Sequence, residues 1–129
     1  MPVFWVCKAD NPPTVRRTLQ LATETLFGTP VLRVEGDVDP EDARSLEMAA
    51  WQALGRDGTK LILDLEHCTH ITSSGLAVLF SLARWARSKD GKVIAVRPSA
   101  DLLRLLQLVR LTDERGFQVA INLDSARQA

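Results

Sequence analysis

The chain is predicted to form a small α/β domain built on a mixed, largely parallel β-sheet. Two observations indicate this class. Apolar strand-like runs, such as Leu61–Leu65 and Lys92–Val96, alternate with stretches of helical periodicity, as in successive β–α–β units. Near the start, two strand-like segments flank the turn signal "LFGTP" and predict an antiparallel hairpin, which would make the sheet mixed.

The predicted elements follow the order β-β-α-β-α-β-α-β. The strands are Thr18–Glu24, Val31–Gly36, Lys60–Cys68, Lys92–Val96 and Phe117–Asn122, and the helices are Pro40–Leu54, Ser73–Gly91 and Pro98–Leu111. Asp39 and Ser99 have the residue types of helix N-caps, and Gly55 suits a helix end. The tail from Leu123 is expected to form a last helical turn.

Length and composition restrict the function. A chain of 129 residues fits one domain, which we place at residues 17–129, after an N-terminal arm or extra strand at residues 1–16. Sixteen basic residues balance sixteen acidic ones, so the protein has no overall positive charge that would favour binding to nucleic acid or an anionic membrane. No apolar run reaches the ~20 residues that span a bilayer, and the start lacks a secretory signal. We therefore expect a cytoplasmic protein with reduced cysteines.

The common catalytic and cofactor motifs are not found in the sequence. It contains neither a Gly-rich phosphate loop nor a G-x-S-x-G nucleophile turn. Glu66, His67, Cys68 and His70 are zinc-compatible residue types, but neighbours on a strand point to opposite faces. The sequence therefore predicts no cofactor, no metal site and no catalytic residue.

The hydroxyl cluster Thr72-Ser73-Ser74 lies between a buried strand and the start of a helix. The carboxyl edge of a parallel sheet is where ligands gather, and a helix start favours negative charge. A phosphate on a serine there would add about −1.5 to −2 charges without unfolding the domain. The alternative is that the hydroxyl groups only cap the helix.

The helix after this cluster has two apolar sides. At 100° per residue, Leu76, Leu79, Phe80 and Ala83 share the side expected to face the core. Val78, Leu82 and Trp85 fall nearly opposite, either as a partner surface or beneath another helix or the N-terminal arm. Met48 and Trp51 on the first helix also lie off its expected core side, which runs through Ala43, Leu46, Ala50 and Ala53. Two adjacent helices would then share an apolar surface that carries two tryptophans.

These segments together resemble the STAS domain of anti-sigma factor antagonists. Asp64-Leu65 resembles the family's Asp-Leu pair at the end of a buried strand. Thr72–Leu76 resembles its Asp-Ser-Ser/Thr-Gly-Leu motif, and Gly36–Asp39 resembles its Gly-Glu-Leu-Asp motif. The resemblance runs from about Leu19 to the end of the chain.

The resemblance implies a small mixed sheet with helices mainly on one face, and a non-enzymatic partner switch. The unmodified antagonist would bind an anti-sigma factor that is also a serine kinase. Phosphorylation of Ser73, or alternatively Ser74, would end the complex, and a serine phosphatase would reset it. The expected partner surface consists of Asp37, Asp39, Thr72, Ser74, Gly75, Val78, Leu82 and Trp85.

Two positions depart from the family pattern. Thr72 stands where the family usually has Asp, and Arg110-Leu111 stands where it often has Gly-Leu, which would alter the exit from the third helix. Related STAS proteins act as scaffolds or transporter subunits without a phosphorylation cycle, and the threonine favours that function. The sequence is also compatible with a homodimer, and with a small enzyme whose serine nucleophile is served by His67 or His70.

Overall fold

The structure is a computed structural model that describes residues 18–26, 28–55 and 58–128. The predicted N-terminal arm or strand at residues 1–16 lies outside this range. The strands are β1 (Gln20–Leu26), β2 (Thr29–Val38), β3 (Lys60–Asp64), β4 (Cys68–Ile71), β5 (Lys92–Val96) and β6 (Phe117–Ala120). The helices are α1 (Ala43–Leu54), α2 (Ser73–Ser88), α3 (Ala100–Leu108) and α4 (Leu123–Gln128), with short 3₁₀ turns at Pro40–Asp42 and Leu111–Asp113.

Within the described residues the strands form one mixed sheet in the order β1-β2-β3-β5-β6, and β4 pairs separately with β2. β1 and β2 form the antiparallel hairpin, whose turn contains Gly28 with φ +82°. All other strand pairs are parallel. The predicted fold class, a mixed sheet that begins with a hairpin, is confirmed.

The order of the strands explains why α1, α2 and α3 share one face of the sheet. Each parallel connection, from β2 to β3, from β3 to β5 and from β5 to β6, moves one strand over in the same direction. Because such crossovers are right-handed, all three helices pack on the same side. The main core lies there, and its fully buried members include Leu32, Leu63, Leu79, Leu82 and Leu106.

The opposite face of the sheet carries a smaller core. Its central residues are Val31, Ile62, Ile94 and Val96, all at most 3% exposed. α4 contributes Ala126 and Leu123 to this cluster, so the predicted last helical turn is a six-residue helix that covers part of the second face.

Most predicted boundaries agree with the structure to within a few residues, but one strand was missed. The predicted strand Lys60–Cys68 ends at Asp64, and Cys68 begins β4. Because Glu66 and His67 form an exposed turn between the two, the segment changes direction and pairs with a different strand.

The exit from α3 contains the unusual residue Arg110. Its φ is +63°, in the left-handed region where glycine is preferred. The arginine therefore adopts the conformation that a glycine would take there, and Leu111 is fully buried directly after it. The expectation that Arg110 alters this exit is not supported.

Candidate functional site

The candidate site lies where β2, β4 and α2 meet at the carboxyl edge of the sheet. The first half of β2 pairs with β3 and its last residues pair with β4, with an irregular register between Gly36 and Asp37. Gly36 has φ +90°, a conformation that bulky residues avoid. This change of partner places the Asp37–Asp39 segment beside the loop that leads into α2.

Two contacts fix this arrangement. The Thr72 N–H donates to the carbonyl of Val38 over 3.0 Å, which joins the start of α2 to the end of β2. The Thr69 hydroxyl donates to a carboxylate oxygen of Asp37. Asp39, which follows Val38 directly, therefore lies at the same end of the sheet as Ser73.

The three hydroxyl residues occupy different environments. Thr72 is the N-cap residue by backbone conformation, but its side chain does not cap the helix, and its buried Oγ1 has no hydrogen-bond partner. Ser73, the first helical residue, is exposed, whereas Ser74 is partly buried. The capping interpretation of the cluster thus fails for the side chain of Thr72, while Ser73 presents its hydroxyl to solvent at a helix N-terminus.

Gly75 is required by the closeness of this helix start to the sheet. A Cβ at position 75 would lie 2.8 Å from Cγ2 of Ile71 and 2.9 Å from Cγ1 of Val38. Both distances are below the contact distance of two carbon atoms. The absence of a side chain at Gly75 therefore sets the depth at which Ser73 and Ser74 sit over the sheet edge.

Of the two alternatives for Val78, Leu82 and Trp85, burial beneath another helix holds for Val78 and Leu82, and their assignment to an open partner surface is wrong. Leu82 is 0% exposed and Val78 is 8% exposed. The reason is that α1 lies alongside α2, so the flank of α2 opposite the predicted core side is also buried. Trp85 is partly buried, and its ring meets Trp51 of α1 edge-on, with centroids 5.3 Å apart and planes at 87°.

Three of the four residues predicted to face the core from α2 are buried. The side of α2 that faces solvent is mainly polar. Leu76, Leu79 and Ala83 are buried, whereas Phe80 is only half-buried and lies 6.0 Å from the guanidinium of Arg84. The exposed residues of α2 are Ser73, Ala77, Ser81, Arg84, Arg87 and Ser88.

Between the two helices runs a groove that reaches the hydroxyl cluster. We name it the α1–α2 groove, and its lining includes Arg44, Glu47, Met48, Trp51, Ser74 and Val78. Met48 is 50% exposed and Trp51 is 36% exposed, as the sequence predicted for these two residues. The apolar surface beside the site therefore comes mainly from α1, and the hydroxyl-bearing residue that lines it is Ser74.

A buried carboxylate lies at the same edge, on the other face of the sheet. Asp64 is 2% exposed. One of its oxygens lies 3.1 Å from Arg97 and 3.5 Å from Arg33, and the other accepts the N–H of Glu66 over 3.1 Å. Glu66 also pairs with Arg97 over 3.3 Å. This network joins the middle of β2 to the ends of β3 and β5, so Asp64 of the Asp-Leu pair noted in the sequence has a structural role.

Cys68 is buried beneath the site. Burial raises the pKa of its thiol to about 11, and the nearby Asp37 carboxylate adds to that rise. A thiol with such a pKa is almost entirely protonated at neutral pH and is a poor nucleophile or metal ligand. Within the described ranges, no group of three or more histidine, cysteine or acidic side chains is arranged to hold a metal ion.

The arrangement offers no activated nucleophile among the described residues. His67 and His70 are both exposed, and His67 lies 3.6 Å from the carboxylate of Glu66. Neither Ser73 nor Ser74 hydrogen-bonds to a described histidine. A serine nucleophile needs a base within hydrogen-bond reach. Ser73 is thus an exposed residue at a helix N-terminus without a described histidine in hydrogen-bond reach.

Sequence reasoning missed three contributors to the site. Neither Thr69 nor Arg44 belongs to a recognisable motif. The pairing of β2 with β4 brings Thr69 to Asp37, and the packing of α1 against α2 brings Arg44 close to Ser74. Arg97 has φ +53°, in the left-handed region, and pairs across the sheet. The signal that could have found Arg97 was its position directly after a buried strand, at the ligand-binding edge.

Comparisons with known proteins agree with this fold. Residues 21–121 match the family model described as "Mlab, STAS domain". The anti-sigma factor antagonist of Mycobacterium paratuberculosis superposes with a TM-score of 0.72 at 23% identity, covering 86% of this chain and 92% of that one. The antagonist SpoIIAA in its unphosphorylated form superposes with a TM-score of 0.68 at 20% identity, covering 86% of this chain and 95% of that one. SpoIIAA of Bacillus in its phosphorylated form superposes with a TM-score of 0.64 at 20% identity, covering 86% of this chain and 98% of that one.

The helices give no sign of a membrane span. None in the described part of the chain is both long and apolar enough to cross a bilayer.

Proposed function

The chain belongs to the STAS domain family, and from this we propose that it is an anti-sigma factor antagonist that acts by partner switching. In its unmodified form it binds, in the cytoplasm, an anti-sigma factor that is also a serine kinase. Phosphorylation of Ser73 ends the complex, and a serine phosphatase restores it. The chain itself is a binding protein without catalytic activity.

The observation that carries the proposal is the exposure of Ser73 at the first position of α2. A kinase can reach this hydroxyl without local unfolding. A phosphate there gains from the positive end of the helix dipole, so the fold tolerates it. A partner seated on the same surface would meet a dianion that it must desolvate, and a buried unpaired charge is costly. The modification thus changes binding while leaving the domain folded.

The placement of the neighbouring residues supports Ser73 over Ser74 as the acceptor. Ser74 is partly buried and lines the α1–α2 groove, where a phosphate would have less room. Asp39 begins the 3₁₀ turn at the same edge, and its N–H is held by the Asp42 carboxylate over 3.1 Å. We assign Asp37 and Asp39 to the rim of the partner surface.

The partner surface that we propose differs in part from the predicted set. Val78 is almost completely buried and Leu82 fully so, and their role is to hold α2 against its neighbours. Met48 and Trp51 take their place as the apolar contact, beside the half-buried Trp85. Aromatic side chains of this kind are frequent binding hot spots. Thr72, Ser74 and Gly75 complete the surface at the helix start.

A second candidate function is a STAS interaction module without a phosphorylation cycle, such as a signalling scaffold or a transporter subunit. Two observations favour it. The matching family model is described by the name Mlab, without reference to sigma factors. Thr72 also replaces the acid that the antagonist motif usually carries before the phosphorylated serine. A pull-down that recovers transport components instead of an anti-sigma kinase would support this candidate.

The deciding experiment combines phosphorylation with binding. The purified protein is incubated with a co-purifying anti-sigma kinase and ATP, and the modified residue is located by mass spectrometry. Affinity for the kinase is then measured for Ser73→Asp, Ser73→Ala and the matched control Ser81→Asp. Ser81 is exposed on the same helix, so the control adds the same charge away from the site.

The proposal predicts phosphate on Ser73, about a hundredfold weaker binding for Ser73→Asp, and unchanged binding for Ser73→Ala and Ser81→Asp. That loss corresponds to roughly 2–3 kcal/mol, the scale of an unpaired charge at a desolvated contact. Phosphate on neither Ser73 nor Ser74, or equal affinities for all three variants, would exclude the switch.

A further inference from the structure

The outer edge of β1 is not paired with any other described strand, and we propose that β1 of a second copy of this chain pairs with it. The two β1 strands would run antiparallel about a twofold axis and join the two sheets into one. The contact between the copies does not depend on the proposed function, and only its consequence for partner binding does.

β1 is the longest edge strand of the described sheet, and it lacks the usual protection of an edge. Its pairing with β2 is regular over all seven residues, without a bulge that would twist the edge away. It contains no proline or lysine, and its one charged residue, Glu24, already pairs with Arg33 over 3.2 Å. Five of its seven residues are exposed. Because proteins usually protect edge strands by such devices, their absence favours pairing with another strand.

The hairpin determines which backbone groups of β1 point outward. Leu26 and Thr29 lie opposite each other across a two-residue turn, so they form the hydrogen-bonded pair that closes the hairpin. Hydrogen-bonded and non-hydrogen-bonded pairs alternate along an antiparallel ladder. Every second residue from Leu26 back to Gln20 therefore directs its N–H and C=O groups to β2. The residues between them direct these groups outward: Leu21, Thr23 and Thr25.

This edge is complementary to itself. In the antiparallel register that places Thr23 opposite Thr23 of the second copy, all seven residues of each β1 strand are paired. The outward groups of the two Thr23 residues meet each other, and those of Leu21 meet those of Thr25, which gives about six hydrogen bonds between the copies. Glu24 lies opposite Ala22, so no like charges face each other. The pair of threonines on the axis is itself a favourable cross-strand pair.

The helix next to this edge leaves room for the second copy. α1 packs over β1 and β2 and has α2 on one flank. At 100° per residue, the flank of α1 away from the α1–α2 groove carries Ser45, Ala49 and Gln52. None of the three is charged, so the α1 helices of the two copies can lie on the same face of the joined sheet without charge repulsion.

The direction of the strands separates the two candidate sites. Because the two β1 strands run in opposite directions, so do the two β2 strands, and the two Ser73 residues lie at opposite ends of the joined sheet. If the proposed function holds, the dimer would bind two anti-sigma factors without either one blocking the other.

The first test is analytical ultracentrifugation of the full-length parent and of Thr23→Pro over a range of protein concentrations. Proline at position 23 removes an outward N–H and leaves the hydrogen bonds to β2 in place. The parent should change from monomer to dimer as the concentration rises, whereas Thr23→Pro should stay monomeric and folded by circular dichroism. A parent that is still monomeric at about 1 mM would overturn the proposal. A dimer that the proline leaves intact would also overturn it, because another surface would then hold the copies together.

The second test measures the register by disulfide cross-linking of Thr23→Cys and of the matched control Thr25→Cys, both in a Cys7→Ser background. Both positions are exposed on the same face of β1. Only position 23 lies opposite itself, with Cα atoms about 5.5 Å apart, which a disulfide can bridge. The two copies of position 25 would lie about 14 Å apart along the strands.

We expect Thr23→Cys to form the covalent dimer about tenfold faster than Thr25→Cys. Equal rates for the two cysteine variants would overturn the proposed register. Neither assay contains a kinase, so both outcomes are independent of the switch model.

Discussion

A Cβ atom at position 75 would lie 2.9 Å from Cγ1 of Val38, so only glycine allows the first turn of α2 to rest on the end of β2. In an open helix, Gly→Ala would stabilise the protein by about 1 kcal/mol. Here the methyl group would force apart buried side chains, at a cost of roughly 1–3 kcal/mol. We therefore expect Gly75→Ala to lower the free energy of unfolding, measured by urea denaturation.

The control for Gly75→Ala is Ser81→Ala on the exposed side of the same helix. It should change the free energy of unfolding by no more than about 0.5 kcal/mol. If Gly75→Ala were as stable as the parent, the close approach of α2 to the sheet would be wrong.

The two residues at N-cap positions, Thr72 and Ser99, should respond differently to loss of the hydroxyl group. The Ser99 side chain accepts the N–H of Leu102 over 3.1 Å, whereas Oγ1 of Thr72 is buried without a partner. Ser99→Ala should therefore cost about 1 kcal/mol. Thr72→Val keeps the shape and removes an unsatisfied polar atom, so it should be neutral or stabilising. Thermal unfolding of both variants measures the difference, and a larger loss for Thr72→Val would show that its hydroxyl is a working cap.

Among the carboxylates in the described part of the chain, substitution of Asp64 should lower the free energy of unfolding most, because Asp64 is the buried one there. Asp64→Asn leaves the guanidinium groups of Arg33 and Arg97 without their shared charge partner. Removing one member of a fully buried ion pair costs roughly 3–5 kcal/mol. Both arginines are 35% exposed and keep Glu24 or Glu66 as a partner, so we expect a smaller loss of about 1–3 kcal/mol. The exposed Glu66 pairs with the same arginine, and Glu66→Gln should cost less than about 1 kcal/mol. Urea midpoints that rank the two variants in the opposite order would contradict the proposed network.

The Cys68 thiol should make stability depend on pH in the alkaline range. Its pKa rises from 9.0 to about 11 on folding because burial disfavours the thiolate. The native state thus keeps its proton while the unfolded chain loses it. The contribution of Cys68 is complete below pH 9.0 and is lost as the pH rises through about 11.

Comparison with Cys68→Ala isolates this contribution, because every other titrating group is present in both proteins. Between pH 9.0 and 11, the free energy of unfolding of the parent should fall by about 2 kcal/mol more than that of the variant. Parallel pH profiles would show that the thiol is not protected in the folded protein.

Much of the fold follows from local patterns in the sequence. The apolar run Leu61–Leu63, the Ser99 cap and the turn around Gly28 each specify their element by short-range chemistry. β4 was missed because a four-residue strand with two exposed polar positions has no distinctive pattern. Its existence depends on pairing with β2, a contact between residues about thirty positions apart.

The candidate site was only partly predictable for the same reason. The position of Ser73 at a helix start follows from the hydroxyl residues, the glycine and the apolar run after them. The burial of Leu82 does not, because helical periodicity defines the sides of a helix without indicating which neighbours cover them. Since α1 packs against the flank that carries Val78 and Leu82, these residues became core, and Met48 and Trp51 provide the open surface instead.

The sequence by itself determined the order of the elements other than β4, the mixed sheet and the presence of a hydroxyl cluster at a helix start. These properties depend on local propensity, periodicity and capping, which act over a few residues. Only the tertiary structure decided that β2 divides its pairing between β3 and β4, that Gly75 must lack a side chain, and that Ser73 faces solvent while Ser74 faces a groove. Those outcomes depend on the packing of segments distant in sequence, where each surface is buried or open according to its neighbour.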